Sequence, residues 1–239
     1  GCSAARGAGA LARAVLALAL LWGASAPAAA LNARLNEEVV RLRLHGTMYE
    51  LETTLFRPAG PGPFPLLVIN HGKPSDNVAI ALERGRVRYP TLAHEFVKRG
   101  WMVAVPMRRG FAGSDGMLPR TTCDLAAYAR RDGEDVAGAV EALTGRRDVD
   151  ASRIVVMGNS AGGMAAVAYG AAPRPGVRAI VTFAAGLRVG GDAGSACWPA
   201  AMIAAYGSLA KPGTPPQLWV YADNDRVCPP PVVRDALEA

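Results

Sequence analysis

Residues 153–163, RIVVMGNSAGG, constrain this chain more than any other stretch. A short apolar run, residues 154–157, leads straight into Gly158-Asn159-Ser160-Ala161-Gly162, and a segment of small residues follows to position 172. The order reads strand, sharp turn, helix. A serine that has to stand at the top of a sheet needs a turn so tight that side chains two residues away would clash. Glycines on both flanks remove that clash, and the strained backbone points Oγ outward. The helix that follows opens with free N–H groups and a partial positive charge, which suit a developing oxyanion. Ser160 is therefore the candidate nucleophile, and the backbone N–H of Ala161 a candidate oxyanion donor. A chance glycine–serine turn would require neither the strand before it nor the helix after it.

The pattern on either side is consistent with such a sheet. Residues 36–44 and 47–56 alternate apolar and polar around His45-Gly46, as an antiparallel hairpin at a sheet edge does. Residues 58–65 form a proline–glycine connector. Residues 66–70 and 101–105 are continuous apolar runs, as expected of strands buried on both faces. Residues 92–99 read as a helix with Gly100 as its C-terminal stop. Residues 124–143 read as a longer helix, with Val136, Ala139, Val140 and Leu143 on one face. Strands are expected at 177–182 and 217–221, a glycine-rich excursion at 186–198, and a helix at 199–209. Strand and helix alternate after residue 65, which predicts an α/β fold: a mostly parallel central sheet, helices on both faces, and an N-terminal antiparallel edge hairpin. At 239 residues the chain suffices for one such domain.

The first thirty residues belong to targeting. Arg6 and Arg13 precede an apolar run, residues 14–22, that is too short to span a bilayer. Ala28-Ala29-Ala30 fits the small-residue cleavage rule, which predicts a leader removed after Ala30 and a mature domain over residues 31–239. The protein is thus expected to be exported, periplasmic or secreted, with no membrane contact after cleavage. The chain lacks an initiator methionine and stops at Ala239 inside a predicted helix, so both ends read as truncated. The formal net charge is +6, of which the leader arginines supply two. The remaining charges are scattered, with no basic run longer than Arg108-Arg109 or Arg146-Arg147. This argues against a nucleic-acid surface and for a solvated, mildly basic exterior.

Four motifs in order resemble the α/β-hydrolase superfamily, and within it the dienelactone hydrolase-like branch of secreted bacterial hydrolases. They are Ile69-Asn70-His71-Gly72, Arg109-Gly110-Phe111-Ala112-Gly113-Ser114, Gly158-Asn159-Ser160-Ala161-Gly162-Gly163, and the run from Trp219 through Asp225 to Pro230. The resemblance covers about residues 36–239. It implies acyl transfer through Ser160, with a small-molecule acyl substrate and no cofactor. The second oxyanion donor is expected from the turn after the first buried strand, at the backbone of Lys73 or of Gly72. The resemblance places the triad acid on Asp225, the aspartate of an Asn-Asp pair, in preference to Asp223, for which loop capping is the plain alternative. The chain order Ser…Asp…His puts the base beyond Ala239. All three histidines precede Ser160: His45 is expected at the surface, His71 in a structural hydrogen bond at the oxyanion turn, and His94 on a helix. A fragment without its base is expected to be nearly inactive. A prolyl-oligopeptidase-like peptidase shares this topology, and a hydrolase fold used only for binding is the remaining rival. Cys123 and Cys197 both lie in loops at the expected rim of the site, and an oxidising compartment favours their pairing. Cys228 is expected to pack as a small hydrophobe. No metal motif is present, and the oligomeric state is not legible.

Overall fold

A seven-stranded sheet runs through the protein in the order β1-β2-β4-β3-β5-β6-β7. Its strands are β1 (Glu38–Arg43), β2 (Glu50–Phe56), β3 (Phe64–Asn70), β4 (Met102–Pro106), β5 (Val149–Asn159), β6 (Val177–Phe183) and β7 (Gln217–Val220). The first two pair antiparallel, β2 meets β4 antiparallel, and every later neighbour is parallel. The computed structural model describes residues 30–73, 85–188, 197–209 and 215–239. The leader expected over the first thirty residues falls almost wholly outside them, as do segments 74–84 and 189–196 of two loops. Residues Ala33–Ala239 form one compact unit.

The helices follow from the sequence pattern: α1 (Pro90–Val97), α2 (Leu125–Thr144), α3 (Ala161–Gly170), α4 (Ala200–Leu209) and α5 (Pro230–Glu238). Pro90 stands at the first helical position of α1, where its missing N–H costs nothing. Asp124 caps α2 by accepting the Ala127 N–H at 2.9 Å. No helix among the described residues is long and apolar enough to cross a membrane.

The continuous apolar strands split between two cores, because successive side chains point to opposite faces. Leu66, Val68, Met102, Ala104, Ile154 and Val156 pack with the apolar stripe of α2, including Val136, Val140 and Leu143. Leu67, Ile69, Val103, Val105 and Met157 pack on the other face with Ala93 of α1. Helices therefore cover both faces, as expected. Strand β3 begins earlier than the pattern suggests, at Phe64. Pro65 lies inside it because the pairing with β5 is irregular between Phe64 and Leu66, where a residue without an N–H can be accommodated.

Cys123 and Cys197 are joined by a disulfide spanning 74 positions. The bond ties the segment before α2 to the start of α4. Closing a loop of that length stabilises the fold by about 4 kcal/mol, chiefly by restricting the unfolded chain. Reduction, or replacement of both cysteines by serine, is expected to lower the denaturant midpoint accordingly. Chemical unfolding with and without reductant measures it.

Candidate active site

The candidate nucleophile, oxyanion turn and acid each follow the end of a parallel strand, the place where open α/β sheets bind their ligands. Strand β5 delivers Ser160. Its backbone has φ 52° and ψ −125°, a strained conformation for a residue with a Cβ. The flanking glycines show why the turn tolerates nothing larger. A Cβ on Gly158 would lie 2.1 Å from the Gly162 carbonyl oxygen. A Cβ on Gly162 would lie 2.3 Å from the Asn70 oxygen and 2.4 Å from the His71 oxygen. The start of α3 thus crosses the ends of both β5 and β3 at backbone contact. Ser160 is held by its own backbone: its N–H donates to Phe183 O at 3.0 Å, and its carbonyl accepts from Gly163, Met164 and Gly186. Its Oγ has one long hydrogen bond, 3.4 Å to Gly186 O.

Strand β3 delivers the turn His71-Gly72-Lys73. A Cβ on Gly72 would stand 3.2 Å from the Ser160 Cβ, so this turn lies directly against the serine. Lys73 Nζ donates to Thr121 Oγ1 and sits 6.0 Å from the Tyr128 ring centroid. The loop carrying Cys123 therefore abuts the same turn, so the disulfide lies at the rim. Ala161 occupies the first position of α3, where a backbone N–H has no intrahelical acceptor.

Strand β7 delivers Asp225. Its Oδ1 accepts the N–H groups of Val227 at 2.8 Å and Cys228 at 2.9 Å. Loop capping, the plain alternative weighed for Asp223, is thus performed by Asp225, while Asp223 is exposed. Both capping bonds fall on Oδ1, and Oδ2 takes no hydrogen bond among the described residues. Cys228 meets the nucleophile's support: a Cβ on Gly186 would lie 2.2 Å from its Sγ. Cys228 is fully buried beside Met202, and burial pushes its thiol up to about 12. It packs as a small hydrophobe and supplies no thiolate at neutral pH.

The three histidines do not reach Ser160. His45 is exposed in the β1–β2 turn, and His94 is exposed beside Glu95. His71 is buried with both ring nitrogens engaged: Nδ1–H donates to Gly72 O at 2.8 Å, and Nε2 accepts the Arg108 N–H at 3.2 Å. Burial first, and the Arg108 charge second, hold it well below the ordinary imidazole range. It stays neutral when folded but gains a proton when unfolded below about pH 6.5. Its depressed folded value therefore leaves stability intact above about 6.5 and lets it fall as pH drops below that, by at most about 1.4 kcal/mol per pH unit. His71→Gln is expected to flatten this limb in urea titrations across pH 7 to 5.

The expectation of a solvated basic exterior fails at Arg108. Its side chain is 0 % exposed, paired through Nε with Asp132 Oδ2 at 2.9 Å. Arg109 beside it binds the buried Asp135 through both its backbone N–H and its Nε. Charged residues are rarely buried unless paired, and both partners lie on α2, more than twenty residues away. The Arg-Gly step after a buried strand was the only local signal.

An apolar cavity of about 310 Å³ flanks the elbow on the α1 side, lined by Ile69, Tyr89, Leu92, Met157, Gly158, Asn159 and Phe183. Ser160 does not line it. Among the described residues no group of three or more His, Cys, Asp or Glu is arranged to hold a metal ion.

A family model described as X-Pro dipeptidyl-peptidase (S15 family) matches residues 46–223. No curated protein sequence matches the chain. Among solved structures, a protein from Klebsiella pneumoniae assigned as a dienelactone hydrolase is 18 % identical with a TM-score of 0.55, covering 84 % of this chain and 78 % of its own. An α/β serine hydrolase homologue from Coxiella burnetii is 19 % identical with a TM-score of 0.56, covering 84 % of this chain and 81 % of its own. A puromycin-hydrolysing peptidase from Mycobacterium tuberculosis is 21 % identical with a TM-score of 0.57, covering 88 % of this chain but only 35 % of its own. The chain also spans less than half the length of several other solved structures that it matches.

Proposed function

Since the chain belongs to the X-Pro dipeptidyl-peptidase (S15) family, within the α/β-hydrolase superfamily, we propose that it is a serine hydrolase cleaving an ester or related acyl bond through Ser160. The observation that carries this reading is the Ser160 backbone at φ 52°, on a strand-to-helix turn with Gly72 packed against its Cβ. In the proposed reaction Oγ attacks the acyl carbonyl and gives its proton to a base. The tetrahedral oxyanion lies between the N–H groups of Ala161 and Lys73. The leaving group takes the proton as the intermediate collapses, and water then hydrolyses the acyl-enzyme. Asp225 is the proposed acid, with Oδ1 fixed by two backbone N–H groups and Oδ2 left to orient an imidazole. In this proposal the imidazole follows Asp225, in the superfamily's chain order. The disulfide fits the oxidising compartment to which the expected leader would send the protein.

The family match favours a second reading, cleavage of a peptide bond after proline. The two readings separate on substrate: p-nitrophenyl esters against X-Pro p-nitroanilides, compared by kcat/KM with the full-length protein. The shared claim is tested by a fluorophosphonate, which should modify Ser160 and no other serine, as peptide mass spectrometry reads. A folded full-length protein that is not labelled would overturn the hydrolase reading and leave a binding role for the fold.

A further inference from the structure

Arg108 makes contacts that a merely structural ion pair does not need. Its Nη1 donates to the His71 carbonyl at 2.6 Å, and its backbone N–H donates to His71 Nε2 at 3.2 Å. Asp132 holds Nε from the other side at 2.9 Å, and Phe111 lies 5.6 Å from the guanidinium. Its Nη2 is buried and has no partner among the described residues. A buried pair with an unpaired N–H stabilises less than apolar side chains of the same volume would. What it does supply is orientation.

The peptide group is a rigid trans plane, so fixing a carbonyl oxygen fixes the N–H on the opposite side. Arg108 Nη1 holds the His71 oxygen and with it the direction of the Gly72 N–H. The Gly72 oxygen accepts from His71 Nδ1, which sets the direction of the Lys73 N–H. The ring that makes this bond is itself held at Nε2 by Arg108. The two N–H groups that this turn can offer an oxyanion are therefore both aimed from one residue. The Gly162 backbone also packs closely on the His71 carbonyl, since a Cβ there would lie 2.4 Å from that oxygen. Resting on the hydrolase reading above, we propose that Arg108 is a positioning residue that orients the peptide planes of His71-Gly72-Lys73 for oxyanion binding.

Arg108→Lys in the full-length protein tests this. It keeps the charge but loses the planar fork that reaches His71 and Asp132 together. The expected result is an approximately 10²-fold slower modification of Ser160 by a fluorophosphonate, the scale of a donor misplaced by about an ångström. Binding of the neutral alcohol product of an ester substrate should be unchanged. A second readout does not depend on chemistry: amide hydrogen exchange at Gly72, whose peptide plane the lost Nη1 contact holds, should quicken relative to the rest of the sheet, while Lys73, set through the backbone N–H that the variant keeps, should change less. If unmodified protein is not labelled, the hydrolase reading fails and the exchange readout alone decides the role of Arg108. Wild-type exchange at Gly72 in the variant would overturn the proposal. So would a uniform rise in exchange with a lower unfolding midpoint, since that marks a stabiliser only. Should Arg108→Lys not fold, Asp132→Asn loosens the same fork without removing it: faster exchange at Gly72 than elsewhere in the sheet supports the proposal despite the lower midpoint that the lost counter-charge brings, and a uniform rise overturns it.

Discussion

Ser160→Ala in the full-length protein is expected to lose turnover by about 10⁶-fold, the scale seen when a triad nucleophile is removed, with substrate binding nearly unchanged. Stability should change by less than about 0.5 kcal/mol. Alanine at φ 52° bears the same backbone strain as serine, and among the described residues the one side-chain hydrogen bond lost is the 3.4 Å contact to Gly186. The backbone bonds that hold the residue, to Phe183, Gly163, Met164 and Gly186, survive the substitution. Steady-state kinetics together with a thermal melt check both halves. Turnover persisting in the variant would require another nucleophile. Cys228, the nearest alternative in kind, is excluded by its complete burial and by a thiol pushed up to about 12.

The largest stability effect is expected at Asp132→Ala, at about 3–5 kcal/mol, a large share of what holds a typical domain folded. The reason is asymmetric. Removing the carboxylate leaves the Arg108 guanidinium fully buried without a counter-charge, and Arg131 loses its 2.9 Å partner as well. Arg108→Met with Asp132→Leu should recover much of the loss, because apolar residues can fill the same space without the desolvation cost. Urea unfolding of the single and double variants reads the difference. A loss below about 1 kcal/mol in the single variant, the scale of a surface pair, would mean that water reaches this site.

The elbow was legible because its requirements are local. Gly158 and Gly162 are demanded by atoms within five positions of Ser160 or by the strand beside it, and an apolar run followed by a small-residue helix announces both. The two-sided core was legible for a similar reason: β3, β4 and residues 154–157 of β5 show no polar alternation because they are packed on both faces. Arg108 was not legible. A charged residue is read as solvated unless its partner is known, and Asp132 and Asp135 lie on the next helix, more than twenty residues along the chain. The Asp225 cap was misplaced by two residues, because either aspartate of Asp223-Asn224-Asp225 could take the turn, and only the paths of Val227 and Cys228 decide between them. Pro65 inside β3 was missed because the irregular pairing that admits it belongs to β5.

The Cys123–Cys197 bond makes a covalent ring of residues 123–197, and that ring contains the elbow together with β5, α3 and β6. A protease that cuts once anywhere inside it opens the polypeptide but releases nothing. Both pieces remain one molecule until a reductant arrives. The part of the chain that carries the nucleophile is thus insured against a single nick, and the segments outside the ring have no such cover.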